Sequence, residues 1–134
     1  MKLNALLIAA VILVLLLIGC SNTPEKGLLQ GKVNIGPISP VEQPGQTTTL
    51  RCDVYAARKI LIYDKIGNKL LMQVDIECNS EENYTRYRVE LEPGSYMVDI
   101  NRIGVDSSSD VPKQIEILSG ITVRLDIDID TGIR

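Results

Sequence analysis

The sequence of 134 residues predicts an all-β fold, a seven-stranded antiparallel β-sandwich that follows an apolar N-terminal leader. Two observations lead there. Short runs with apolar residues at every second position recur along the chain, separated by Gly, Pro and Asn turn signals, and no stretch beyond residue 20 sustains a 3.6-residue period. With no Phe, Trp or His, the core must be built from Ile, Leu, Val and Tyr, which favour pleated strands.

The leader comes first. Lys2 supplies a positive charge, the run from Ala5 is apolar, and Leu17-Ile18-Gly19-Cys20 resembles the lipobox at which bacterial prolipoproteins are lipidated and cut. The resemblance implies Cys20 as the lipid acceptor and first mature residue. The rivals are a retained helix and a plain secretory signal. The apolar part is about 15 residues, roughly 22 Å as helix, against a hydrocarbon core of ~30 Å, which disfavours a lasting span. The expected organisation is a signal peptide over 1–19, a lipidated tether over 20–27 and a sandwich over 28–134.

Removing 1–19 leaves about 115 residues, enough for one core. Of 14 basic and 17 acidic residues only Lys2 lies in the leader, so the mature part carries 13 against 17. That mild acidity, without a concentrated basic face, argues against nucleic acid.

GLLQGKVNIG gives a first strand with a kink near Gly31, and Pro37, Pro40, Pro44 and Gly45 make 36–49 an irregular loop. Val54–Tyr63 and Lys69–Ile76 read as a hairpin about Gly67-Asn68, with the register open because Ile60–Tyr63 is apolar throughout. Tyr84–Leu91 and Tyr96–Ile103, joined by Glu92-Pro93-Gly94-Ser95, read as a second hairpin. In it Val89 faces Val98, Tyr87 faces Ile100 and Arg88 faces Asp99. After the polar loop Asp106–Lys113, alternation resumes at Gln114–Ile117. In the last strand Val123, Leu125, Ile127 and Ile129 alternate with Arg124, Asp126, Asp128 and Asp130.

Gly31 and Val33 in the opening strand, LEPGSYMVDI at 91–100 and the alternating last strand together resemble the transthyretin-like, or prealbumin-like, carboxypeptidase regulatory-like domains of secreted proteins. The resemblance implies a Greek-key sandwich. Where that family usually has Gly before an aromatic, this chain has Asn83 before Tyr84, a substitution that Asn tolerates because it enters positive φ. Hydroxyisourate hydrolases share the architecture, but their histidines and C-terminal Tyr-Arg-Gly-Ser are missing here.

Cys52 and Cys78 remain once Cys20 is lipidated, an even pair that predicts a disulfide in an oxidising compartment, with two separate thiols as the alternative. Asp126, Asp128 and Asp130 share one strand face at about 6.8 Å spacing, too wide for one calcium ion, so a solvated acidic face is expected. Asp106 and Asp110 lack the EF-hand pattern. Tyr84, Arg86 and Arg88 share an outer face and form the candidate contact for a carbohydrate or an acidic envelope protein. Asn83-Tyr84-Thr85 matches a glycosylation sequon that a prokaryote does not ordinarily use.

Without His, Gly-x-Ser-x-Gly or Ser-x-x-Lys, no serine has an evident base, and no catalytic residue, cofactor or metal is expected. The expected role is a membrane-anchored, extracytoplasmic binding or structural module. The alternatives are an accessory subunit or inhibitor of an envelope enzyme acting through 36–49, and a hydrolase using a carboxylate pair.

Overall fold

A computed structural model describes residues 2–17, 19, 21–39 and 49–134. Cys20 and the central part of the 36–49 loop, residues 40–48, lie outside the described residues. Helix α1 (Lys2–Leu17) is apolar after its first residues. Among the described residues, no helix is long and apolar enough to cross a membrane.

The body is two open sheets facing each other. In the first, β1 (Gly27–Gly36) lies beside β5 (Tyr84–Leu91), which is followed outward by β4 (Glu77–Asn79). On its other flank β1 pairs with both β8 (Thr122–Arg124) and β9 (Ile127–Asp130). The second sheet has the order β3 (Leu70–Asp75), β2 (Lys59–Tyr63), β6 (Gly94–Ile100), β7 (Lys113–Ile117). Alternation sends Leu29, Val33, Tyr87 and Ile127 from the first sheet and Ile60, Ile62, Val98, Ile100 and Ile117 from the second into one core.

Three expectations need correction. The described residues form nine strands rather than seven, because the last predicted strand is split and β4 was missed. The fold is not wholly antiparallel: β1 runs parallel to β8 (Leu29↔Val123) and β9 (Val33↔Ile127). The second predicted hairpin is an arch, since β5 pairs with β1 and β4 while β6 pairs with β2 and β7. Tyr87 and Ile100 therefore both enter the core, but from opposite sheets. Arg88 stands opposite Gln30, and Asp99 pairs with Arg102 at 3.1 Å instead of with Arg88. The Tyr96 hydroxyl donates to the Glu92 carbonyl oxygen (2.7 Å) and closes the arch, which gives the Pro-Gly-x-Tyr motif its physical role.

Residues 54–56 belong to a short helix, α2 (Cys52–Ala56), rather than to a strand. Tyr55 turns inward, and its hydroxyl accepts a hydrogen bond from the Ile35 N–H (3.3 Å). The β2–β3 hairpin does form, from Ile60↔Val74 through Ile62↔Met72, with a register shift before Tyr63↔Leu70. Asn83 takes φ 51°, as the missing glycine required.

The expected kink at Gly31 is where β8 gives way to β9. A Cβ there would lie 1.8 Å from the Leu125 carbonyl oxygen. Leu125 N–H donates to Gln30 O (2.9 Å), and the Asp126 carboxylate, rather than a backbone carbonyl, accepts from Lys32 N–H (2.8 Å). The chain thus steps sideways past a residue with no side chain and resumes pairing two residues later.

The direction of β1 gives the sandwich two distinct ends. Gly27, the 92–93 arch and the 118–121 turn share the end where residues 21–26 enter. Gly36, α2, the loop over 101–112 and the C-terminus occupy the other.

Candidate functional site

The outer face of the first sheet carries the candidate contact residues. Arg86 is opposite Lys32 on β1 and opposite Glu77 on β4. Two like charges side by side would repel. Glu77 relieves this by accepting from Arg86 Nε at 2.8 Å, and the pair raises the Arg86 pKa further above its ordinary value. The guanidinium also lies 4.6 Å from the centre of the Tyr84 ring. Arg88 is one row along, opposite Gln30, whose other neighbour is Arg124.

Between these rows lies an open depression of about 310 Å³, lined by Gln30, Lys32, Tyr84, Arg86 and Arg124, with the backbone around Gly31 in its wall. The structure therefore brings Tyr84 and Arg86 together with Lys32 and Arg124, which sequence reasoning missed, and sets Arg88 to one side. The outward positions of Lys32 and Arg124 were legible from alternation. Their nearness to Arg86 was not, because it depends on the parallel pairing of β1 with the chain's last strands. Planar guanidinium groups and an ammonium around an open hollow suit carboxylate or sulfate oxygens. Arg86 already covers one face of the Tyr84 ring, which limits sugar stacking to what remains.

The acidic face resolves into separate partnerships. Asp126 receives hydrogen bonds from Arg124 and from Lys32 N–H, and these, the arginine first, hold its carboxyl below the usual range. Asp128 accepts from Asn34 Nδ2 (2.7 Å). Asp130 accepts from Arg134 Nη2 (2.9 Å) and Gly132 N–H (2.8 Å), and its pKa is likewise lowered, chiefly by Arg134. Asp128 and Asp130 border a shallow hollow of about 520 Å³ beside Ser107–Ser109 at the end away from residues 21–26. Among the described residues no group of three or more His, Cys, Asp or Glu is placed to hold a metal ion.

Asp106 does something the sequence did not disclose. Its carboxylate is gripped by Arg58 through Nε (2.8 Å) and Nη2 (2.9 Å), with 10 % and 1 % of the arginine and aspartate side chains exposed. Arg58 Nη1 also donates to Val54 O, and Ile103 N–H donates to Asp106. This buried pair fixes α2 to the loop after β6. Asp110 accepts from Asp128 N–H (2.8 Å) and so fastens the same loop to β9.

Cys52, at the start of α2, and Cys78, in β4, form a disulfide with Cα atoms 5.5 Å apart. The Thr85 hydroxyl of the sequon is buried and donates to Val33 O.

No protein-family model matches the sequence, and no curated protein matches it. Among solved structures, the chain is similar to the crystal structure of a DUF3823 family protein from Parabacteroides merdae, at 15% identity and a TM-score of 0.43. The alignment covers 79% of this chain and 46% of that one, so the match spans less than half of the longer protein.

Proposed function

We propose that this chain is a lipid-anchored, extracytoplasmic sandwich of the transthyretin-like kind, serving as a non-catalytic binding or structural module of the cell envelope. The observation that carries the reading is the Cys52–Cys78 disulfide, because such bonds persist where the compartment is oxidising. It agrees with a leader in which Lys2 and a short apolar helix precede Leu17-Ile18-Gly19-Cys20. Binding falls to the Arg86, Lys32, Arg124 and Tyr84 hollow, whose ligand is an acidic saccharide or an acidic protein surface.

The carboxylate-hydrolase alternative has its best location at the shallow hollow that Asp128 and Asp130 border. There Arg134 holds Asp130 ionised, the state that the base of such a pair requires, and a general acid beside it would complete the pair. The accessory-subunit alternative draws on position: Gly36 and the disulfide-bonded Cys52, which flank the 36–49 loop, both lie at the end away from residues 21–26. Deleting 40–48 then removes a crosslinked partner while the urea midpoint holds.

The decisive experiment is growth with labelled palmitate, followed by crosslinking on intact cells and mass spectrometry. Label on Cys20, lost in Cys20→Ser, and envelope neighbours in the crosslinked set are expected. An unlabelled product with its leader intact in the cytosol overturns the proposal.

A further inference from the structure

The end of the sandwich where residues 21–26 enter carries aliphatic side chains that the core does not use. Ile66, in the β2–β3 turn, is 69% exposed, and Leu118 and Ile121, at the corners of the β7–β8 turn, are 53% and 51% exposed. Both turns are braced. Ile121 N–H donates to Leu118 O (3.2 Å) with Gly120 at φ 68°, while Asp64 N–H donates to Lys69 O (3.0 Å) and Gly67 N–H to Asp64 O (2.9 Å). The entering segment runs against the first of them, with Gly120 N–H donating to Lys26 O (3.3 Å) and Leu28 N–H to Ile121 O (3.0 Å).

The two turns cap opposite edges of the second sheet, since β3 and β7 are its outer strands. Two to three strand spacings separate them, about 10–14 Å at ~4.8 Å each. No single narrow groove spans that distance, but a flat surface meets both turns at once. With Cys20 lipidated, the surface that residues 21–26 bring there is a bilayer: six residues between Cys20 and β1 reach at most about 20 Å when fully extended. That keeps the sandwich at high effective concentration against the lipid.

We propose that this end docks on the membrane, with Ile66, Leu118 and Ile121 entering the boundary between headgroups and acyl chains. The inference rests on lipidation of Cys20. The charges beside these residues balance: Lys26, Lys65 and Lys69 stand with Glu25, Asp64 and Glu92, and Lys26 is 3.9 Å from Glu92. The contact is therefore apolar, with no preference for anionic lipid and little response to salt. Docking also fixes orientation, turning α2, the 101–112 loop and the exposed Val105 away from the bilayer.

The test uses the mature lipidated protein in phosphatidylcholine vesicles with brominated acyl chains. An environment-sensitive fluorophore is attached through Ile66→Cys, Leu118→Cys, Ile121→Cys or, as the distal control, Val105→Cys. At least twofold quenching is expected at 66, 118 and 121 and none at 105, unchanged in 0.5 M salt. Leu118→Asp with Ile121→Asp, both outside the core, should at least halve the quenching at 66. Equal quenching at 105, quenching that needs anionic lipid or vanishes in salt, or no effect of the aspartates each overturns the proposal. Absent quenching with mass spectrometry showing lipid on Cys20 rejects docking and leaves the anchor standing. Absent lipid rejects both.

Discussion

Gly31→Ala is the most informative single change to the fold. The new methyl group would sit 1.8 Å from the Leu125 carbonyl oxygen and 3.1 Å from Asp126 N, both backbone atoms, so the β8–β9 junction must move. Three hydrogen bonds depend on that junction: Leu125 N–H to Gln30 O, Lys32 N–H to the Asp126 carboxylate, and the Tyr87 hydroxyl to Leu125 O (2.7 Å). At about 1 kcal/mol each, their loss destabilises the sandwich by about 3 kcal/mol, the upper part of the range for overpacking a core. With a urea dependence of about 1.5 kcal/mol per molar, the unfolding midpoint of the oxidised protein falls by about 2 M. Gly36→Ala, at the end of the same strand with nothing within 4 Å of its added Cβ, is the matched control and should move the midpoint little. If the two variants unfold within about 0.3 M of one another, close approach at Gly31 is not what shapes the junction.

Asp106→Ala strands the Arg58 guanidinium in the interior and should cost about 3–5 kcal/mol in urea unfolding, whereas Arg58→Met with Asp106→Leu should recover most of it. Replacing Cys52 and Cys78 together by Ser opens a loop of 26 residues and should lower stability by roughly 3.5 kcal/mol, measured against the oxidised parent in the same denaturant series. Burial raises the Tyr87 pKa above its ordinary value, so its contribution is whole below about pH 10, where the unfolded phenol begins to ionise, and declines as pH climbs further. Phenolate absorbance should then report Tyr87 only upon unfolding, and Tyr87→Phe should flatten that alkaline decline. Asp126 has a lowered pKa, so its stabilisation is present above about pH 4 and fades as acid protonates the folded carboxylate; Asp126→Asn should shrink the loss of urea midpoint between pH 5 and pH 2.

Facing was legible in the sequence, and neighbourhood was not. Period-two alternation identified the inward residues of β1, β5, β7 and β9, because burying one face of a pleated strand leaves that signature in any sheet. It could not distinguish a lateral neighbour from one across the core, which is why Tyr87 and Ile100 looked like hairpin partners when they enter the core from opposite sheets. Residues 54–56 misled for another reason. Val54 and Tyr55 favour strands, but the disulfide at Cys52, the Tyr55 contact with β1 and the Arg58 grip on Asp106 impose a helical turn there. In the candidate site, Tyr84, Arg86 and Arg88 were visible as one outward row. Lys32 and Arg124 join it only through pairings made at long sequence separation. Arg58 and Asp106 are 48 residues apart and carried no local mark of their meeting.

The contact of β1 with β9 has a bearing on biosynthesis. Lys32 and Asn34 find their partners 94 residues downstream, in polypeptide that leaves the ribosome long after the opening strand. A nascent chain therefore holds its opening strand with one flank bare until residues 122–130 have emerged, and ordering of the first sheet waits on them. A stop codon in place of Ile127 removes β9 entirely, so that a lesion late in the chain is felt chiefly by its opening strand.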